Sequence, residues 1–93
     1  MNIAVLTMQF SLPGCGSLKE KRRRMGGLHE RFGRTPAIAV CESGDLDRLE
    51  SSEWSFVVVA TSPQKVESIC SEIEDKLQRT VDGRVLEVSR VML

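Results

Sequence analysis

Residues 55–93, SFVVVATSPQKVESICSEIEDKLQRTVDGRVLEVSRVML, spell a strand, a helix and a second strand in that order. Phe56 to Ala60 is an unbroken apolar run of strand length, rich in valine, the pattern of a strand in the middle of a sheet. Ser62 offers a helix N-cap and Pro63 fills the first helical position, where a missing N–H does no harm. Val66, Ile69, Cys70, Ile73 and Leu77 then recur at i, i+3, i+4, i+7 and i+11, one apolar stripe on a helix. Asp82-Gly83 turns the chain, and Arg84 to Leu93 alternates as a strand does.

The N-terminal half repeats the plan. Ala4, Leu6, Met8, Phe10 and Leu12 fall on one face of an extended segment, with Ile3, Val5, Thr7 and Gln9 on the other. Pro13, Gly14 and Gly16 stop it, and Ser17 with Glu20 three residues later forms a capping box that starts a helix near Leu18. Leu18, Met25, Leu28 and Phe32 share a narrow helical stripe running on to Gly33 and Pro36, although Gly26-Gly27 inside it costs roughly 1 kcal/mol per glycine against alanine. Thr35 to Glu42 reads as a second strand and Ser55 to Thr61 as a third. The acidic stretch between them, Ser43 to Trp54, is expected to be an ordered loop or one helical turn.

Four strands and two helices, with both strand-helix-strand crossovers right-handed, predict an α+β fold. It is a ferredoxin-like βαββαβ two-layer sandwich, a four-stranded antiparallel sheet with both helices on one face. Ninety-three residues suffice for one core and not for two, which makes residues 1–93 a single domain. Apolar content of 41% and charged content of 28% exclude disordered and fibrous classes. The apolar run from Ile3 to Phe10 is too short and too interrupted for a membrane span or a signal peptide. Cys15, Cys41 and Cys70, odd in number and without C-x-x-C spacing, indicate neither a disulfide framework nor a zinc site. A reducing cytoplasm is the expected location, with Cys41 and Cys70 as buried structural thiols.

Net charge is zero but unevenly laid out. Residues 17 to 34 hold seven Lys or Arg against two Glu, a balance of +5 that leaves −5 elsewhere. Lys19, Arg23, Arg24, Arg31 and Arg34 project from the exposed side of the first helix, a surface suited to phosphates of ribosomal or precursor RNA. The competing reading is a solvated face supported by Glu20–Arg24 and Glu30–Arg34 pairs. Gly16 and Ser17 open the helix and could present backbone N–H groups to an anion, or form only a tight turn. Lys21 falls inside the apolar stripe, so it either snorkels outward or pairs with a carboxylate of the acidic loop or of a second subunit. Base stacking on the sheet is disfavoured, since there is no Tyr and no alternating aromatic pair, and nothing marks a reader of DNA sequence.

No set of nucleophile, base and orienting group emerges, and His29 is the single histidine, so a non-enzymatic binding module is expected, without cofactor or metal. Ile3, Val5, Val57 and Val59 point to the face of the sheet without helices, and with Lys21 they make up a candidate partner interface. A homodimer across that face is expected alongside RNA binding, and a protein-interaction or dimerisation module of the translation or ribosome-assembly apparatus, acting through the same face, is the alternative to RNA.

The run from Leu12 to Arg23, LPGCGSLKEKRR, resembles the "PG..SLKEKR" signature of the small bacterial YlxP-like proteins of unknown function. Chain length, Ala39 to Glu42, Val57 to Val59 and the Asp82-Gly83 turn are also similar to that family, so the likeness spans nearly the whole chain. The resemblance implies a ferredoxin-like fold. It supplies no activity, only a tendency of such proteins to be encoded near translation-factor and ribosome-maturation genes.

Overall fold

The structure, a computed structural model, describes residues 1–93. In chain order its elements are β1 (Asn2–Ser11), α1 (Leu18–Met25), α2 (Leu28–Phe32), β2 (Ile38–Gly44), β3 (Ser51–Ala60), α3 (Pro63–Thr80) and β4 (Arg84–Met92). One antiparallel sheet runs β2-β3-β1-β4, so β1 and β3 occupy the middle and each crossover helix passes over a central strand. This is the ferredoxin-like arrangement that the two strand-helix-strand units imply.

The alternation along β1 decides which face carries the helices. Ala4, Leu6, Met8, Phe10 and Leu12 are buried, and they meet Trp54, Phe56 and Val58 from β3 and Val66, Cys70, Ile73 and Leu77 from α3 in one contiguous core. Phe32 packs edge-on against Phe56, ring centroids 5.5 Å apart, which fixes α2 over β2 and β3. Ser62 caps α3 by accepting the Lys65 N–H, with Pro63 directly behind it.

Boundaries and exposures differ from the sequence expectation at several places. The first helix is not continuous: α1 ends at Gly26 and α2 starts after Gly27, both left-handed at φ 77° and 66°. In this conformation an L side chain costs about 1–2 kcal/mol per residue, so the glycine pair makes a corner instead of a weakened helix. Leu18, expected in the core stripe, is half exposed. β3 begins at Ser51, four residues early, because Ser52 and Trp54 alternate inward with Ser51 and Glu53 outward, leaving a tight connection of Asp45 to Glu50. Cys41, expected to be buried, lies on the outer face of β2 opposite Ser55 and is exposed, whereas Cys15 and Cys70 are buried.

Candidate functional site

The turn into α1 is the first place a ligand was expected, and several of its donors are used within the chain. Ser17 is extended at φ −157°, ψ 159°, and its hydroxyl accepts the Glu20 N–H at 3.0 Å. Glu20 reaches back past the cap to accept the Gly16 N–H at 2.6 Å, one residue before the donor a standard capping box uses. Glu50 accepts the Gly14 N–H at 2.8 Å. The Gly14 and Gly16 N–H groups are therefore taken by carboxylates of the chain itself. The Gly16 N–H, with further help from Arg24 and Arg23, holds the Glu20 carboxyl below its ordinary pKa despite partial desolvation.

Behind this turn Lys21 is buried, 5% exposed, with every ammonium proton matched. It donates to the Asp45 carbonyl at 2.8 Å and the Arg48 carbonyl at 2.7 Å, and forms an ion pair with Glu42 at 3.1 Å. Glu42 also accepts from the Ser52 hydroxyl at 3.0 Å, which in turn accepts from the Trp54 indole at 2.9 Å. Of the two sequence readings for Lys21, the pair is the one realised, and within the monomer. Lys21, expected at a partner interface, turns inward instead, because an ammonium with three internal acceptors has nothing left to offer a neighbour. Asp45, at φ 59°, accepts from Ser51 and from Gln9 at 2.6 Å, and these bonds hold its carboxyl below the ordinary value. His29 leans edge-on against Trp54 at 5.0 Å. Leu18, Arg22, His29, Leu46 and Trp54 surround an open cleft of about 340 Å³ at the α1–α2 corner, with the Lys21–Glu42 pair in its wall.

The cations on the helices are not all left in solvent. Arg24, expected in solvent, has a side chain only 10% exposed. Its guanidinium donates to the Asp82 carbonyl and the Pro13 carbonyl, both at 2.8 Å, and faces the Asp82 carboxylate at 3.6 Å. The Asp82 N–H returns to the Arg24 carbonyl at 2.9 Å, so this arginine clamps α1 to the α3–β4 turn. The expected Glu20–Arg24 pair gives way to a loose Glu20–Arg23 contact at 3.8 Å, and no Glu30–Arg34 pair forms. Arg31 donates to the Thr80 hydroxyl at 2.8 Å while staying exposed. Lys19, Arg22, Arg23 and Arg34 are exposed, with Lys19 and Arg23 side by side around a shallow depression with Gly16 and Ser17.

The outer face of the sheet divides in two. Ile3 stands opposite Val59, and Val5 stands between Val57 and Val91, so the four expected apolar residues form two adjacent rows. Further along, the rows turn polar: Thr7 bonds Ser55 at 3.1 Å, Ser55 bonds Ser43 at 2.7 Å, and Gln9 lies between Glu53 and Glu87. The apolar half therefore occupies only one end of the face. Sequence reasoning missed Ser52, Trp54 and Arg24 as organising residues; the inward alternation of Ser52 and Trp54 was the available signal for the first two. Burial pushes the Cys70 thiol pKa up, as expected for a core cysteine. No group of three His, Cys, Asp or Glu side chains is placed to hold a metal ion, and no helix is long and apolar enough to cross a membrane.

A family model described as "Protein of unknown function (DUF503)" matches residues 3–90, and the chain belongs to that family. No curated protein matches it.

Proposed function

We propose that this chain is a non-enzymatic, cytoplasmic binding module that rests on the phosphates of ribosomal or precursor RNA through the cations of α1 and α2 that the fold leaves in solvent. The observation that carries this reading is the sorting of the basic residues. Lys21 and Arg24 are consumed by internal partners, yet Lys19, Arg22, Arg23 and Arg31 on the two helices, and Arg34 just past α2, stay exposed, with only Glu20 and Glu30 as acidic residues on the same two helices. Such a surface attracts a polyanion through counterion release and carries no base-reading groups. The likeness of Pro13-Gly14 and Ser17 to Arg22 to the YlxP-like signature supports placing the module beside the translation apparatus.

The test is co-sedimentation with ribosomal particles at low and moderate salt, comparing wild type with a Lys19→Ala/Arg23→Ala/Arg34→Ala variant. All three residues lie outside the internal network, so folding is preserved. Co-migration that salt abolishes and the variant lacks supports the reading. Equal behaviour of both proteins at low salt defeats it.

A second reading rests on the paired rows of Ile3–Val59 and Val5–Val57, an apolar surface on which a protein partner or a second copy would sit. Contact there would tolerate salt, whereas phosphate contact would not.

A further inference from the structure

The strand β4 is an outer strand whose only neighbour is β1. The Leu93 N–H donates to the Ile3 carbonyl at 2.9 Å, and the register continues through Ala4–Met92, Val5–Val91 and Leu6–Arg90. Main-chain groups alternate direction along an antiparallel strand, so Val91 and Ser89 also turn theirs to β1, while Val88, Arg90 and Met92 aim theirs into the open. Large apolar side chains gather along the same strand. Val88 is 40% exposed, Leu86 59%, and Val91 and Met92 each 50%. Val91 flanks the edge on the outer side, opposite Val5; Val88 and Met92 flank it on the helix side, opposite Met8 and Ala4.

Natural edge strands are blunted by lysine, proline, short length or a bulge. From Glu87 to Met92 β4 has none of these, its irregularity being confined to the Gln9–Phe10 step, and the one helix-side charge that could also blunt it, Arg90, is drawn to Glu74. The opposite edge, β2, is shorter, is irregular between Glu42 and Gly44, and has no large exposed apolar side chain. The two edges are thus treated differently by the same sequence.

We propose that a second copy of this chain adds antiparallel to β4, joining two sheets into one continuous eight-stranded sheet. The strand complements itself in a register centred on Arg90. A two-fold axis at Arg90 sets Val88 opposite Met92 of the other copy on the helix side, twice over, and each of these pairs exchanges main-chain bonds. The two Arg90 side chains then meet at the axis, and each is already compensated by its own Glu74, which accepts from Nε at 2.6 Å. An axis at Glu87 would instead set Glu87 against Glu87 and leave Met92 uncovered. The axis of this dimer passes the rim of the sheet and not its face, and the inference is independent of the RNA reading.

The test measures molar mass by light scattering at high micromolar concentration. Val88→Pro removes an N–H aimed at the second copy without removing a bond to β1, a substitution that outer strands accept. Val88→Lys introduces a charge at the same place and decides the matter where the proline variant does not fold. Val5→Lys marks the outer face. The expected result is a wild-type dimer, a dimer for Val5→Lys, and half that mass for both Val88 variants with folded circular-dichroism spectra. A monomeric wild type, or a dimer that survives Val88→Lys and is lost with Val5→Lys, overturns the proposal.

Discussion

Replacing Lys21 with alanine removes the charge on which the centre of the molecule is organised. The substitution deletes an ion pair at 3.1 Å to Glu42 and two charge-assisted bonds, to the carbonyls of Asp45 and Arg48. Breaking a buried pair by removing one partner costs about 3–5 kcal/mol, because the remaining charge stays desolvated. Glu42 retains 22% side-chain exposure and its Ser52 donor, so water can reach it and the low end, about 3 kcal/mol, applies. At roughly 4–8 °C per kcal/mol for a domain of this size, the melting temperature should fall by about 12–24 °C. Calorimetry and urea unfolding of Lys21→Ala, Glu42→Gln and the double variant measure this, and the double variant should lose less than the two single losses combined, since the partners touch. Lys21→Met separates the stem from the charge, because it keeps most of the apolar length. Loss of under about 0.5 kcal/mol in Lys21→Ala, the range of an ordinary surface change, would refute the reasoning.

Adjacent arginines should behave oppositely: Arg24→Ala loses about 2 kcal/mol in urea unfolding through its bonds to Asp82 and Pro13, while Arg23→Ala, in solvent, stays within about 0.5 kcal/mol. Gly26→Ala places a side chain at φ 77° and should cost about 1–2 kcal/mol, read as a lower urea midpoint with an unchanged slope. Folding lowers the proton affinity of Glu20 and Asp45, so the stability these carboxylates contribute is present above the ordinary carboxylate range, near pH ~4, and is lost as pH falls through their folded values. Melting temperatures measured from neutral pH downward should therefore decline below that range, and Glu20→Gln should flatten the decline.

The strands, α3 and the ferredoxin-like order were legible because period-two and period-3.6 patterns report directly which face is buried. Lys21 was legible too, as a charge inside an apolar stripe. What the pattern could not carry was anything set by chain reversal. Arg24 projects to the solvent side of an isolated helix, and only the Asp82-Gly83 turn, folding back from far along the chain, covers it. Gly26-Gly27 was visible as a weakness, but whether a glycine pair bends or merely softens a helix depends on where Leu28 and Phe32 must reach; both are buried, on a separate axis. Ser52 hid the start of β3 because a small polar residue at an inward position reads as loop until Glu42 and Trp54 are seen on either side of it.

The bonds from Lys21 to the acidic connection end on main-chain oxygens, of Asp45 and Arg48. A carbonyl belongs to every residue type, so the anchor makes no demand on the side chains it holds. Leu46, Asp47 and Leu49 are therefore free to drift, and the connection can take on new chemistry, by selection or by engineering, while one lysine on the neighbouring helix keeps its path.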